Sequence, residues 1–245
     1  MQTGSRVLVT GGAGYIGSVV CARLLRDGYS VCVLDELNFG GLSLLPLYAY
    51  PNFTFHRGDV CDTRSISSLL EEGVDSVVPL AAVVGDPASA QQPHRTQQVN
   101  YEATCHLVSL CKQLGVDRFL FVSTCSNYGL SDSDDLADEH TPLHPLSLYA
   151  ETKVKSEQYV LELGSDHFKV CVLRLATAFG LSPRMRFDLL VNEFTRDAVL
   201  SGKIVAYGEQ FWRPYVHTLD IAEAMSLVLR APPEVVSNQV FNVGS

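Results

Sequence analysis

The chain has 245 residues, 47% of them hydrophobic and 18% charged, which is typical of a folded globular protein rather than a disordered one. A formal net charge of −9 argues against a nucleic-acid partner, which would need a basic surface. The N-terminus lacks the pattern of a signal peptide, and no apolar run is long enough to cross a membrane. We therefore predict a cytoplasmic protein with no membrane partner.

Short apolar runs alternate with helical segments over the first 176 residues. The predicted strands lie at 7–10, 31–34, 53–55, 76–79, 119–122 and 170–174, and the predicted helices near 15–27, 63–72, 97–115 and 147–163. Most of these strands are continuously apolar, as expected of parallel strands covered on both faces. The predicted fold class is α/β, a Rossmann-type doubly wound parallel sheet with helices on both faces. Loops at 83–94 and 130–146 follow strand ends, where ligands bind in such sheets.

After residue 176 the alternation changes. We divide the chain into a Rossmann domain at 1–176 and a smaller C-terminal substrate-binding lobe at 177–245, interleaved with the sheet. The predicted elements of this lobe are a helix near 187–201, a short strand near 204–207, a helix at 221–230 and a final strand from residue 240. Whether the lobe is complete at Ser245 is left open.

Seven cysteines are scattered along the chain, and no two have the Cys-x-x-Cys spacing. Neither a zinc site nor a disulfide framework is indicated by this arrangement. We interpret these residues as reduced and mostly buried, and expect no bound metal.

A glycine-rich turn at 10–17 joins the first predicted strand to the first helix. Gly12, Gly14 and Gly17 fit the Gly-x-Gly-x-x-Gly fingerprint, while Gly11, Gly14 and Gly17 fit its Gly-x-x-Gly-x-x-Gly variant. Glycines let the backbone approach a pyrophosphate, which the N-terminus of the helix would hold. A glycine-rich turn without a ligand is the less favoured alternative.

Acidic residues follow the second and third predicted strands. Asp35 is placed to accept hydrogen bonds from an adenosine ribose and to repel a 2′-phosphate, unless it is only a solvated carboxylate. The stretch 27–56 contains no Lys or Arg, which favours NAD over NADP. Asp59 either meets the adenine or caps the turn that follows it.

Tyr149 and Lys153 are four residues apart on one face of the last predicted helix of the first domain. Thr124 lies just past the fifth predicted strand, at the carboxyl edge of the sheet. We predict that the Thr124 hydroxyl holds the reacting oxygen of a substrate while Tyr149 moves the proton. Lys153 is predicted to lower the pKa of the tyrosine and to contact the nicotinamide ribose. A surface pair without chemistry is the alternative.

Together these motifs resemble the extended short-chain dehydrogenases/reductases, in the branch that acts on nucleotide sugars, over essentially the whole chain. The resemblance implies a catalytic set of Thr124, Tyr149 and Lys153. It implies an NAD site lined by Gly11, Gly14, Tyr15, Ile16, Gly17, Asp35, Asp59, Val60, Leu80, Ala81, Ala82 and Lys153, with Asn100 supporting it. Relatives often pair through the helices that match 97–115 and 147–163, which implies a homodimer.

The same resemblance points to substrate-binding residues. Arg213 matches the arginine that grips the diphosphate of a nucleotide-diphosphate sugar, a task that suits a guanidinium fork. The other candidate substrate residues are Val84, Ser126, Thr177 and Asn192. Arg184 and Arg186 either hold the same anion or are solvated.

Two departures from the family pattern bear on the reaction. Cys125 and Ser126 stand where sugar-nucleotide dehydratases carry an Asp-Glu pair, which disfavours a 4,6-dehydratase. Thr177 replaces the asparagine usual in galactose-type 4-epimerases, and Val84 occupies a position that is often polar in them, which leaves open whether the pocket is that of a UDP-glucose epimerase.

The leading hypothesis is an NAD-dependent nucleotide-sugar epimerase, which oxidises a sugar carbinol transiently to a ketone and reduces it again. The alternatives are a nucleotide-sugar dehydrogenase or 4-keto-sugar reductase with net cofactor turnover, and a non-catalytic NAD-binding protein.

Overall fold

Seven parallel strands form the central sheet in the computed structural model, which describes residues 4–130, 136–208 and 212–244. The strands in chain order are β1 (Arg6–Thr10), β2 (Ser30–Asp35), β3 (Phe53–Arg57), β4 (Ser76–Pro79), β5 (Arg118–Thr124), β6 (Lys169–Leu175), β7 (Thr177–Phe179), β8 (Tyr215–His217) and β9 (Gln239–Val243). The order across the sheet is β3-β2-β1-β4-β5-β6-β9, and every neighbouring pair is parallel. β7 and β8 form a separate parallel pair. The predicted doubly wound parallel sheet is confirmed.

Helices cover both faces of this sheet. They are α1 (Tyr15–Arg26), α2 (Thr63–Glu71), α3 (Asp86–Gln91), α4 (Pro93–Thr96), α5 (Ala103–Gln113), α6 (Leu148–Leu163), α7 (Leu190–Ser201), α8 (Thr218–Arg230) and α9 (Pro233–Val236). A π-helical turn, Gln97–Glu102, leads into α5, and 3-10 turns occupy Leu42–Ala49 and Cys125–Tyr128. None of the helices in the described ranges is long and apolar enough to cross a membrane.

Two buried clusters, one on each face of the sheet, form the core. Val7 and Val9 of β1 belong to the cluster that includes α1 and α8. Leu8, between them, belongs to the opposite cluster with α2, α5 and α6. Successive strand residues point to opposite faces, so a strand between two helical layers must be apolar at every position. This requirement explains the continuous apolar runs in the sequence.

Several predicted elements differ from the structure. The predicted strand near 204–207 does not form, and the helix predicted near 187–201 begins at Leu190. The segment 83–94, predicted as a loop, contains α3 and the start of α4, and the helix predicted from residue 97 begins as the π-helical turn. In the predicted loop at 130–146, residues 131–135 lie outside the described part of the chain.

The final strand also lies elsewhere than predicted, and this difference affects the architecture more than the others do. The sequence assigned it to the substrate lobe, whereas β9 pairs with β6 as an edge strand of the central sheet. The chain thus returns from the region after residue 176 to add an edge strand to the sheet. The boundary at residue 176 and the substrate-binding role of 177–245 stay predictions.

Candidate active site

The glycine-rich turn lies between the carboxyl ends of β1 and β4, where the strand order of the sheet reverses and where such sheets bind ligands. Gly11 has φ +75°, and a Cβ added there would lie 2.5 Å from the backbone nitrogen of Ala81. A Cβ on Gly17 would collide with the carbonyl oxygen of Gly11. These two positions require glycine because the turn packs backbone against backbone on both sides.

The turn opens into α1 with an uncapped N-terminus. No side chain caps the helix there, and its first turn contains no acidic residue. The free ends of helical N–H groups and the positive end of the helix dipole are therefore available to an anion. This chemistry fits the pyrophosphate of NAD, and Ile16 and Gly17 lie in the same first turn.

Asp35, at the end of β2, accepts hydrogen bonds through both carboxylate oxygens. The backbone N–H of Ala13 donates to Oδ2 at 3.0 Å, and that of Leu37 donates to Oδ1 at 2.8 Å. The carboxylate is thereby fixed beside the glycine-rich turn, where the adenosine ribose of a dinucleotide would lie. Each oxygen keeps lone-pair capacity for a ribose hydroxyl.

Asp59 follows β3 and caps the turn after it, as the second of the two sequence interpretations proposed. Its Oδ1 accepts the backbone N–H of Cys61 at 2.8 Å, and its Oδ2 accepts from the guanidinium of Arg95 at 2.8 Å. Burial acts to raise the pKa of this carboxyl, but these hydrogen bonds outweigh it and the net shift is downward. Arg95 comes from α4, and no pattern in the sequence predicted its contact with Asp59.

Asn100 holds the chain that follows β4. Its side-chain amide donates to the carbonyl of Val83 at 2.9 Å and its amide oxygen accepts the Val83 N–H at 2.8 Å. This two-point contact fixes the half-buried chain that follows β4, and the role of Asn100 in supporting an NAD site stays a prediction. That chain contains Leu80, Ala81 and Ala82, while Val60 packs on the core from the β3 side.

Thr124 and Tyr149 are brought together at the carboxyl end of β5. Thr124 is buried and its hydroxyl caps the following 3-10 turn by accepting the Ser126 N–H at 3.2 Å. A hydrogen bond with the Thr124 side chain acts to lower the pKa of Tyr149, but burial is the larger effect and raises it to about 12. The phenol is therefore protonated at neutral pH.

Lys153 lies one helical turn beyond Tyr149 on α6 and is 6% exposed. Its Nζ donates to the carbonyl oxygen of Val122 at 2.8 Å and lies 4.9 Å from the centre of the Phe121 ring. Burial lowers the pKa of this ammonium to about 8, so that it stays mostly protonated at pH 7. Its predicted effect on the pKa of Tyr149 and its predicted contact with a ribose stay predictions.

A buried ion pair behind Thr124 was missed by the sequence analysis. Glu157, on α6, is 2% exposed and accepts from Arg174 of β6 at 2.5 Å, while the hydroxyl of Ser123 donates to it at 2.7 Å. Asn127 donates to both Ser123 and Glu157 through its side-chain amide. The network joins β5, β6, α6 and the 3-10 turn, and so fixes the strand end that carries Thr124. Glu157 lies one helical turn beyond Lys153, but no local pattern in the sequence predicted that it would pair with Arg174.

The predicted substrate residues lie around this centre in different states. Ser126 and Val84 are exposed, and Arg213 is exposed and acts to lower the pKa of Cys125, against the larger effect of burial, which raises it. A thiol with a raised pKa is a poor nucleophile. Thr177 is half-buried at the start of β7.

Asn192 is engaged within the protein. Its amide group donates to the Tyr15 hydroxyl at 2.9 Å and to the carbonyl of Arg186 at 2.9 Å, while its oxygen accepts the N–H of Gly180 at 3.0 Å. The Tyr15 hydroxyl in turn donates to the Gly180 carbonyl at 2.7 Å. Asn192 therefore ties α7 and the loop after β7 to the start of α1. Its contact with substrate stays a prediction.

Comparisons with known proteins agree with this arrangement. Residues 7–244 match the model of the NAD dependent epimerase/dehydratase family. UDP-glucose 4-epimerase of Lactobacillus helveticus is 28% identical, over 98% of this chain and 76% of its own length. Mouse dTDP-D-glucose 4,6-dehydratase is 30% identical, over 98% and 68%. The structure of UDP-glucuronic acid 4-epimerase from Bacillus cereus, in complex with UDP-glucuronic acid and NAD, superimposes with a TM-score of 0.87 at 26% identity, covering 98% of this chain and 77% of that one.

Proposed function

The chain belongs to the NAD-dependent epimerase/dehydratase family, and we propose that within it the protein is a nucleotide-sugar epimerase. The observation that carries this proposal is that the half-buried phenol of Tyr149 and the Thr124 side chain meet at the carboxyl end of β5, in a protein whose glycine-rich turn fits NAD. The family relationship confirms the predicted cofactor, and the sugar and its nucleotide remain part of the proposal.

In the proposed reaction, Thr124 and Tyr149 both hydrogen-bond the sugar hydroxyl that is oxidised. Tyr149 takes the hydroxyl proton as the carbinol becomes a ketone and returns it when the ketone is reduced on its other face. Bound NAD would supply a hydride acceptor that later gives the hydride back, together with a positive charge beside the phenol. That charge and the ammonium of Lys153 would lower the high pKa of Tyr149 toward the range of a base.

The residues after Thr124 favour epimerisation over dehydration. Elimination of water needs an acid and a base placed at the neighbouring carbon. Cys125 and Ser126 offer a thiol whose pKa is raised by burial and a neutral hydroxyl. Similarity to a mammalian dehydratase makes dehydration the competing activity, so the assay must detect it.

The test is incubation of the purified protein with a panel of nucleotide-diphosphate sugars in D2O, followed by proton NMR and by absorbance at the NADH band. We expect an epimer whose inverted carbon carries no deuterium, because the hydride returns from the cofactor and not from solvent. Net NADH change would support a dehydrogenase or reductase instead. A product that has lost a hydroxyl group would identify a dehydratase.

Tyr149→Phe tests the role of the phenol as proton carrier, because it removes one oxygen and keeps the ring. We expect turnover to fall at least about 100-fold while the dissociation constant for NAD changes little. An active variant would refute the role of the phenol as proton carrier.

We also propose that the protein is a cytoplasmic homodimer. The seven cysteines are free thiols, as suits a reducing compartment. α5 and α6 pack side by side, with Ser109 and Tyr159 joined by a 3.0 Å hydrogen bond, and such a pair can form a four-helix interface with a second copy. Light scattering on the purified protein will show a mass near twice 26.8 kDa if this holds.

A further inference from the structure

The carboxyl edge of β2 and β3 contains a cation that sequence position alone would not place there. The guanidinium of Arg95 donates to Glu36 at 2.9 Å and to Asp59 at 2.8 Å through the same nitrogen, and its other terminal nitrogen lies 3.4 Å from the sulfur of Cys61. Glu36 directly follows Asp35, the residue predicted to meet the adenosine ribose. Arg95 therefore lies beside the cofactor's adenosine end.

We propose that Glu36 and Arg95 are specificity-determining residues that make the protein bind NAD more tightly than NADP. Glu36 adds a second carboxylate next to Asp35, where the 2′-phosphate of NADP would have to lie. It also occupies Arg95, the guanidinium that could otherwise pair with that phosphate. The proposal depends on the NAD site and not on which sugar reaction the protein catalyses.

Both carboxylates that hold Arg95 are fixed by further hydrogen bonds. Asp59 is fixed from the other side by the Cys61 N–H, and Glu36 accepts a second hydrogen bond from the Asn38 side chain at 2.6 Å. Arg95 is thus held between two carboxylates that are themselves anchored. The side chains of all three members are about one-third exposed, so a bound cofactor could reach them. Both carboxylates bond one nitrogen of the guanidinium, and their two negative charges offset its positive charge, so Arg95 attracts a phosphate less strongly than an unpaired arginine would.

The consequence concerns neutralising Glu36. In Glu36→Gln the repulsive charge is lost and Arg95 keeps only Asp59 as an anionic partner. The positive charge of the guanidinium is then less fully offset and one N–H is held only by a neutral acceptor, and charge-assisted bonds between arginine and phosphate are among the stronger hydrogen bonds in proteins. Since Asp35 remains in place, we expect the ratio of the dissociation constants for NADP and NAD to decrease but to stay above one.

The test is direct measurement of the dissociation constants for NAD and NADP by isothermal titration calorimetry, with no sugar present. We expect wild type to prefer NAD, and Glu36→Gln to bind NADP about tenfold more tightly with little change for NAD. Glu72→Gln removes the same charge from a remote pair with Arg6 and should change neither constant. An equal effect of both substitutions would overturn the proposal, because the gain would then reflect net charge.

The double variant Glu36→Gln/Arg95→Gln shows whether Arg95 is the cation that pairs with the 2′-phosphate of NADP. We expect it to lose the gain in NADP affinity, because Arg95 supplies it. Arg57, exposed at the end of β3 in register with Asp35, is another cation at this edge. A double variant that kept the gain would assign it to Arg57 and refute the role of Arg95, as would a wild-type protein that binds both cofactors equally. An inactive epimerase assay alongside these results would leave the binding proposal intact.

Discussion

Removal of the charge on Glu157 should be one of the most damaging single-atom changes in this protein. Glu157 and Arg174 are 2% and 5% exposed, and the pair is the most buried ion pair described. In Glu157→Gln the carboxylate becomes an amide of the same shape, and the guanidinium of Arg174 loses its counter-charge without gaining water. Breaking a buried pair in this way costs about 3–5 kcal/mol of unfolding free energy.

The hydrogen bonds of the network should survive better than the charge. The introduced NH2 group would face the Asn127 amide, which now donates to Glu157 at 3.2 Å. The Asn127 side-chain oxygen is buried without a hydrogen-bond partner among the described residues, so a flip of this amide would turn it to accept from the new group. The expected loss is therefore chiefly electrostatic.

The assay is equilibrium urea unfolding of the cofactor-free protein at pH 7, with the slope compared to confirm the same transition. Glu223→Gln is the matched control, because Glu223 pairs with Arg23 and Arg230 while its side chain is 38% exposed, and the substitution should cost less than about 1 kcal/mol. If Glu157→Gln costs no more than this control, the reasoning about the buried pair is wrong.

Three further predictions concern the site. Lys153→Met should be more stable than wild type at pH 7, because the wild-type ammonium has a pKa of about 8 in the folded state against 10.5 in the unfolded state. Between pH 7 and 10 the folded wild type loses its proton before the unfolded chain does, so in urea unfolding the wild type should regain about 2 kcal/mol of unfolding free energy relative to the variant. A stability difference that does not change with pH would contradict the buried cation. Gly17→Ala should weaken NAD binding at least about tenfold by calorimetry, because its methyl group meets the Gly11 carbonyl. Gly41→Ala should bind NAD normally, because Gly41 has φ −115° and only the flexible tip of Leu37 lies nearby. Equal affinities of the two variants for NAD would count against the glycine-rich turn as the pyrophosphate site. Tyr15→Phe removes a hydroxyl that bonds Gly180 and Asn192 and should lower the unfolding free energy by about 1 kcal/mol, and an unchanged urea midpoint would show that this link between α1 and the loop after β7 adds nothing.

Local patterns in the sequence determined the six strands of the first 176 residues and most of the helices between them. A strand buried on both faces must be apolar at every position, so the core strands are readable without a structure. The glycine turn is readable for a similar reason, since Gly11 and Gly17 sit where backbone meets backbone. The strand predicted near 204–207 was wrong because a short apolar run acquires strand structure only when another strand pairs with it.

Only the tertiary structure decided which distant residues meet. β9 joins β6 across more than 60 residues of chain, Arg95 reaches Glu36 from α4, just past the predicted loop at 83–94, and Glu157 meets Arg174 through the packing of α6 on the sheet. These contacts depend on the path of the backbone through both helical layers, which no local period in the sequence encodes. The local sequence thus specified the glycine-rich turn and the helix that carries Tyr149 and Lys153, while long-range packing determined which charged residues surround them.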